Sequence, residues 1–168
     1  MIVLILFFVW RALLFLLSFF AEQFFVFHKS FPYVEYYLIP SGFPQWVWSF
    51  GNFDGVHYLT IAETGYGLVE FVQVFFPLYP FLIRFLKPLF DGNYFASGLF
   101  IANACFLLVL FVFRRLLQKD MPTKNSNWVL LAMVVFPFSF FFGSIYTESI
   151  FLLLVLLSFY YAREKRWL

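Results

Sequence analysis

Long apolar runs constrain this chain more than any other feature of its sequence. A helix needs roughly 20 apolar residues to cross the ~30 Å hydrocarbon core of a bilayer. Only 12% of the 168 residues are charged and 27% are aromatic, so a water-soluble domain of this composition would expose apolar surface that it could not cover. We therefore predict an all-α, multi-pass membrane protein. Four spans are expected, at about residues 1–27, 94–113, 128–142 and 145–162, with a polar outer loop at about 28–93.

The distribution of basic residues predicts the orientation of the chain. Short cytoplasmic loops near the ends of spans carry an excess of Lys and Arg. The prolines of segment 75–90 favour an irregular helix along the membrane surface over a crossing. The basic ends of the later spans then face away from Asp54; they contain Arg114, Arg115, Lys119, Lys124, Arg163, Lys165 and Arg166. We expect the N-terminus inside and the Asp54 loop outside, with Arg11 at the inner boundary of the first span and Glu22 near the outer one.

The polar segment 52–66 stands between apolar runs and contains Asp54, His57, Tyr58 and Glu63. A carboxylate at a membrane boundary is costly unless it is solvated, paired or functional. On a helix, His57 and Tyr58 share a face with Asp54, which could then accept a proton from a hydroxyl substrate. The structural alternative is that Asp54 caps the helix N-terminus. A metal site built from Asp54 and His57 is a weaker alternative, because two ligands do not define a site.

If Asp54 is an N-cap, Gly65 closes the same helix at its other end. Either way, the segment is predicted to form a short helix over the residues that follow Asp54.

A second acid-bearing turn, residues 143–149, emerges on the same outer face as Asp54 under this topology. Its Tyr146 and Glu148 would then border the same polar site. Two structural roles compete with this interpretation. Glu148 adds favourable charge to the first turn of a helix that Thr147 caps, and Tyr146 anchors the chain at the membrane interface.

Arg84 and Lys87 are three residues apart, so they can face the same way and bind lipid phosphates. Alternatively, both extend from a half-buried helix towards the membrane surface. The single Cys105 excludes an internal disulfide, and two His with one Cys cannot build a Cys/His zinc site. The net charge of +2 comes with no basic stripe interleaved with aromatics, so nucleic-acid binding is not expected.

Three motifs in order resemble those of a known family. Segment 52–66 resembles the first outer-loop signature of the PIG-V-like mannosyltransferases, which belong to the GT-C class of multi-pass membrane glycosyltransferases. Segment 75–80 resembles the next landmark of that family. Residues 136–139, followed by 146–151, resemble the third. The resemblance runs over nearly the whole chain and implies a GT-C type N-terminal module.

The resemblance implies transfer of a mannosyl unit from a polyprenyl- or dolichyl-phosphate carrier to a lipid-linked acceptor. Eukaryotic members add the second mannose of the glycosylphosphatidylinositol anchor in the lumen of the endoplasmic reticulum, and bacterial relatives act at the outer face of the cytoplasmic membrane. By position, Asp54 would be the general base on the acceptor hydroxyl. Tyr146 and Glu148 would line the same site, and segment 75–80 would shape the entry of the carrier lipid.

The remaining site residues complete that expectation. His57, Tyr58 and Glu63 belong to the first motif and are expected to bind substrate. Contact of Arg84 or Lys87 with the carrier phosphate is our own addition to the family pattern. No cofactor is expected beyond the lipid-linked donor, and the need for a divalent metal stays open.

Two departures from the family pattern shape the alternatives. Phe53 stands where relatives commonly carry Trp, and enzymes of this class usually have many more spans. We therefore expect this chain to be the N-terminal part of such an enzyme, with a separately encoded C-terminal half as a candidate partner. The alternatives are a related GT-C transferase for another sugar and a non-catalytic subunit or remnant. A channel or transporter fits less well, because the acids concentrate at one surface rather than near the midplane.

Overall fold

The computed structural model describes residues 1–27, 34–67 and 72–165, and within these ranges the chain is helical with no β-strand. The α-helices are α1 (Ile2–Phe24), α2 (Val34–Tyr37), α3 (Gln45–Trp48), α4 (Asp54–Thr64), α5 (Leu78–Leu86), α6 (Tyr94–Leu117), α7 (Thr123–Val135) and α8 (Glu148–Arg163). Short 3₁₀ segments lie at Ile39–Ser41, Ser49–Gly51, Val72–Val74, Lys87–Phe90 and Pro137–Gly143. The predicted all-α fold is confirmed for the described residues.

Two helices are long and apolar enough to cross a membrane. These are α1, with 23 residues, and α6, with 24 residues. At a rise of 1.5 Å per residue they extend about 35 Å and 36 Å, which exceeds the thickness of a bilayer core. Arg114 and Arg115 lie inside the last turn of α6, so this helix runs further than the expected end at residue 113.

The expected third span, at residues 128–142, is not one straight helix. Helix α7 ends at Val135, and the chain bends by 83° into the 3₁₀ segment Pro137–Gly143. Pro137 lacks the N–H that would continue the helical hydrogen-bond ladder, which accounts for the break. The bent pair can be counted as a third, broken span.

Helix α8, expected to be the fourth span, has 16 residues, or about 24 Å, and is shorter than the two clear candidates. The four-span arrangement therefore stays a prediction. Helix α5 has nine residues, or about 13.5 Å, which is too short to cross and agrees with an interfacial position.

Helices α6 and α8 run side by side in the same direction. At their N-terminal ends Ile145, just before α8, packs against Gly98 of α6. Beyond their C-terminal ends Arg163 donates a 2.7 Å hydrogen bond to Asp120, and Lys119 pairs with Glu164. One end of the bundle is therefore rich in basic residues, and the other end carries Asp54 and Glu148.

Helix α1 runs antiparallel to α6. The ring of Trp10 lies 4.6 Å from that of Phe106, centroid to centroid. Further along, Ser18 of α1 lies 3.1 Å from Ser49, hydroxyl to hydroxyl. The C-terminal end of α1 therefore points towards the segment that precedes Asp54.

The sequence predicted that Arg11 marks the inner boundary of the first span; the structure shows its side chain buried against the rest of the chain. It lies near the middle of α1, is only 8% exposed, and donates a 2.8 Å hydrogen bond to the carbonyl of Gly143. Its guanidinium stacks over the rings of Phe15 and Phe50, at 4.0 Å and 4.3 Å from their centroids. A guanidinium is buried most cheaply where it meets a carbonyl and aromatic faces. Arg11 thus ties α1 to the end of the segment Pro137–Gly143.

Ser139 stabilises the break after α7. Its hydroxyl accepts a 3.0 Å hydrogen bond from the indole N–H of Trp10 and donates one of 2.8 Å to the carbonyl of Val134. Carbonyls in the last turn of a helix lack intrahelical partners, so the hydroxyl satisfies one of them. The motif at residues 136–139 therefore has a structural function.

We expect Ser139→Ala to lower the free energy of unfolding by about 1–3 kcal/mol, because it leaves the buried Trp10 N–H without its acceptor and the Val134 carbonyl without its donor. Thermal unfolding in detergent micelles measures the effect. Ser158→Ala is the control, since Ser158 is exposed on α8. Equal losses of stability in the two variants would contradict this function of Ser139.

Candidate functional site

Three hydrogen bonds join the start of α4 to the turn before α8. The N–H of Ile145 donates to the carbonyl of Phe50 at 2.8 Å. The hydroxyl of Tyr146 donates to the carbonyl of Asn52 at 3.0 Å, and the hydroxyls of Tyr58 and Thr147 are hydrogen-bonded at 3.3 Å. The two acid-bearing segments predicted from the sequence therefore meet, although about ninety residues separate them along the chain.

A glycine permits this close approach. A Cβ at position 55 would lie 3.3 Å from the carbonyl oxygen of Ile145 and 3.4 Å from its Cβ. Such distances are tighter than ordinary van der Waals contacts. Gly55 therefore lets the first turn of α4 rest against Ile145, whose side chain is fully buried.

Asp54 is the first residue of α4, and its side chain is exposed. The prediction that it caps the helix is wrong, because Phe53 occupies the cap position. Asp54 instead lies in the first turn, where the helix dipole favours a carboxylate. The predicted closure at Gly65 is confirmed: its φ is 77°, and its N–H donates to the carbonyl of Ile61 at 2.9 Å.

Phe53 has an unusual backbone. Its φ of 55° and ψ of −122° lie in a region that side-chain-bearing residues rarely adopt. Such strain costs of order 1–3 kcal/mol and persists only where the surrounding structure imposes it, often at functional sites. Tyr146 supplies part of that constraint by holding the preceding residue, Asn52, through its carbonyl.

The charge of Asp54 reaches several neighbours. The pKa of Glu148 is raised overall. Partial desolvation by the surrounding chain is the largest cause, although the side chain is exposed. A backbone hydrogen bond opposes the shift, and the charge of Asp54 adds to it. Burial raises the pKa of Tyr146, and the charges of Asp54 and Glu148 add to this. The charge of Asp54 thus disfavours ionisation of the neighbouring Glu148 carboxyl.

His57 and Tyr58 pack on the other side of this cluster. The imidazole of His57 stacks on the ring of Phe75 at 4.9 Å. Partial burial lowers its pKa, while the charge of Asp54 opposes the shift. Burial raises the pKa of Tyr58, and the hydrogen bond to Thr147 opposes that shift. The segment at 75–80, singled out in the sequence, therefore contributes Phe75 to the cluster.

Thr147 does not cap α8 with its side chain, contrary to expectation. It precedes the helix but makes no capping hydrogen bond; its hydroxyl pairs with Tyr58 instead. Glu148 does lie in the first turn of α8, as predicted. Sequence reasoning treated Thr147 only as a cap, and nothing local in the sequence shows that its partner comes from α4.

Three other predicted site residues lie elsewhere. Glu63 follows Asp54 by nine residues on α4, or about 13.5 Å along the helix. Arg84 donates a 3.2 Å hydrogen bond to the carbonyl of Glu63, where it satisfies a carbonyl at the C-terminal end of α4. The ammonium of Lys87 lies 4.1 Å from the ring centroid of Tyr94. These residues form a second polar group at the opposite end of α4 from Asp54.

In the part of the chain that the structure describes, no three His, Cys, Asp or Glu side chains are grouped so that they could hold a metal ion. The cluster around Asp54 contains the carboxylates of Asp54 and Glu148 and the imidazole of His57. That imidazole packs against the ring of Phe75. Its arrangement suits proton transfer and hydrogen bonding to a substrate.

Comparison with known proteins adds no relative. No protein-family model, curated protein or solved structure matches this chain.

We expect Asp54→Asn to lower the pKa of Glu148, because it removes a negative charge that disfavours ionisation of the second carboxyl. The pKa of Glu148 is read from a pH titration of its carboxyl carbon by ¹³C NMR in micelles.

The same shift makes the stability of the chain depend on pH. Folding raises the pKa of Glu148, so ionisation of Glu148 destabilises the folded chain as pH rises above the unfolded value. Glu148→Gln should therefore flatten the decline of stability over that range.

Asp91→Asn is the matched control for this titration. Asp91 is exposed and has a φ of 51°, a conformation that Asn also accepts. An identical titration of Glu148 in the unchanged chain and in the Asp54→Asn variant would show that the two carboxyls do not interact.

Proposed function

We propose that this chain is a membrane glycosyltransferase module that transfers a mannosyl unit from a polyprenyl- or dolichyl-phosphate carrier to a lipid-linked acceptor. The resemblance to PIG-V-like mannosyltransferases suggests the reaction. The observation that carries the proposal is the meeting of Asp54 and Glu148 at one end of the apolar helices, through bonds between α4 and the turn before α8.

Asp54 is the proposed base. It is exposed at the start of α4, so an acceptor hydroxyl can reach it. Asp54 takes the hydroxyl proton as the acceptor oxygen bonds to the anomeric carbon of the mannosyl unit. The bond from that carbon to the carrier phosphate breaks, and the carrier leaves as polyprenyl phosphate. A positioned base of this kind contributes typically 10²–10⁴-fold to a reaction rate.

The neighbouring hydroxyls have distinct roles in this proposal. Tyr146 uses its proton to hold the carbonyl of Asn52, so it is a positioning residue. Tyr58 and Thr147 share one hydrogen bond, which leaves one of their two protons free to meet a substrate oxygen. A tyrosine hydroxyl is protonated at neutral pH, and the raised pKa of Tyr58 moves its ionisation further away.

The distribution of charge supports an outward-facing site. Arg114 and Arg115 end α6, and Arg163 ends α8, whereas Asp54 and Glu148 lie at the other end of these helices. Basic residues favour the cytoplasmic side. We therefore place the site on the outer face of a bacterial cytoplasmic membrane or in the lumen of the endoplasmic reticulum.

We assign Arg84 and Lys87 a role other than contact with the reacting phosphate of the carrier. They lie with Glu63 at the far end of α4, beside the short helix α5. We propose that they contact lipid phosphates at the membrane surface, while Glu63 helps to hold this end of α4.

A transfer assay in membranes tests the function, with radiolabelled polyprenyl-phosphate-mannose as the donor. We expect label to enter a lipid product with the unchanged chain, and Asp54→Asn to reduce the rate by roughly 100-fold or more. Asp91→Asn, which removes an exposed acid outside the cluster, should leave the rate unchanged.

Undiminished transfer by Asp54→Asn would exclude the base role. Transfer from carriers of another sugar, without transfer of mannose, would favour a related GT-C transferase instead.

A further inference from the structure

A cleft of mixed polarity lies between the last turns of α1 and the residues that lead to α4, and its lining includes Phe53, the residue before the proposed base. We call it the α1 cleft; its volume is about 290 Å³. Five polar residues line it: Ser18, Glu22, Gln45, Ser49 and Asn52. Trp46 and Phe53 add aromatic surface, and Phe53 directly precedes Asp54. None of these residues was assigned to a site from the sequence.

One lining group has an unmet hydrogen-bonding capacity. The side-chain oxygen of Asn52 is buried and accepts no hydrogen bond from the described residues. Its backbone carbonyl is held by Tyr146, so the residue is fixed in place by the cluster around Asp54. A buried acceptor without a donor is costly, and a turn of the Asn52 side chain towards the cleft would let a ligand hydroxyl satisfy it.

The strained residue Phe53 lies between this acceptor and the base. Its positive φ of 55° is a conformation that persists where the surroundings impose it, commonly around ligands. Its side chain is 52% exposed although it is large and apolar. The strain therefore places an aromatic side chain at the rim of the cleft, next to Asp54.

The charge of the cleft selects its ligand. Glu22 is the only charged residue among the described residues that line it, and neither Lys nor Arg is among them. A phosphate would be repelled by this carboxylate. A neutral, hydroxyl-rich ring fits: its hydroxyls can donate to Glu22 and Asn52 and accept from the amide of Gln45, and its C–H faces can pack on aromatic side chains.

The mouth of the cleft suits a lipid. Phe25 and Val26 line it and are 74% and 81% exposed, at the end of an apolar helix long enough to cross a membrane. The volume of about 290 Å³ is just below the ~300–1,000 Å³ found for small-molecule sites, which suits one sugar or cyclitol ring attached to a chain that leaves towards the bilayer.

We propose that the α1 cleft binds the neutral, hydroxylated headgroup of the lipid-linked acceptor and presents one hydroxyl to Asp54. This inference rests on the proposed function and names the acceptor side of the site. The donor is excluded as the occupant, because its sugar is attached directly to phosphate and would bring an anion towards Glu22.

Photo-cross-linking tests the assignment without requiring catalysis. The full chain in phosphatidylcholine nanodiscs is exposed to a decyl mannoside that carries a diazirine on its sugar ring, and labelled peptides are located by mass spectrometry. We expect labelling within residues 18–27 and 45–53. The same photoreactive group on a decyl mannosyl phosphate serves as the anionic comparison and should label these peptides several-fold less.

Variants in the cleft sharpen the test. Glu22→Gln and Asn52→Ala should each reduce mannoside labelling several-fold, and Glu22→Lys should shift the preference towards the mannosyl phosphate. Glu22 is only partly buried, so these charge changes should fold, which circular dichroism checks. Asp91→Asn, outside the cleft, should label like the unchanged chain.

The outcomes separate this proposal from the proposed function. Labelling of the cleft that survives in Asp54→Asn supports the cleft even if no transfer is observed. Labelling that maps elsewhere, that is unaffected by both Glu22→Gln and Asn52→Ala, or that favours the mannosyl phosphate in the unchanged chain overturns it, even if the transfer assay succeeds.

Discussion

The contact of Ile145 with two glycines holds the candidate site together. Its side chain is fully buried, and a Cβ at Gly55 or at Gly98 would come within 3.3 Å and 3.1 Å of its atoms. Since both glycines lack that atom, α4 and α6 can approach the same residue from two sides. The N–H of Ile145 then bonds the carbonyl of Phe50. This packing holds the start of α4 against the turn that carries Glu148.

Arg11 extends this arrangement into the apolar part of the molecule. A buried cation is expensive unless it is hydrogen-bonded and screened, and here a carbonyl and two aromatic rings supply that environment. Gly143 allows the approach, because a Cβ there would lie 2.5 Å from the guanidinium. The chain between Gly143 and Ile145 is therefore anchored at both ends. This anchoring supports the turn that carries Tyr146 and Glu148.

The proposed acceptor cleft and the proposed base share one structural element. Asn52 and Phe53 line the cleft, Asp54 begins α4, and Tyr146 fixes the carbonyl of Asn52. A ligand in the cleft would therefore contact Asn52 and Phe53, the two residues that directly precede Asp54. The separation of the second polar group, around Glu63 and Arg84, follows from the length of α4. Glu63 was expected near Asp54 because both belong to segment 52–66, but nine positions along the 11-residue helix α4 place them about 13.5 Å apart.

Much of this protein could be predicted from the sequence. Apolar runs and few charges predict helices long and apolar enough to cross a membrane, because those properties depend on local composition, and the structure contains two of them. The helix after Asp54, its end at Gly65 and the place of Glu148 in a first turn are also local features. The tertiary structure decided the rest: the burial of Arg11, the partner of Thr147 and the cleft beside Phe53. These depend on contacts between residues far apart in the chain, such as Trp10 with Ser139, and no local pattern encodes such a distance.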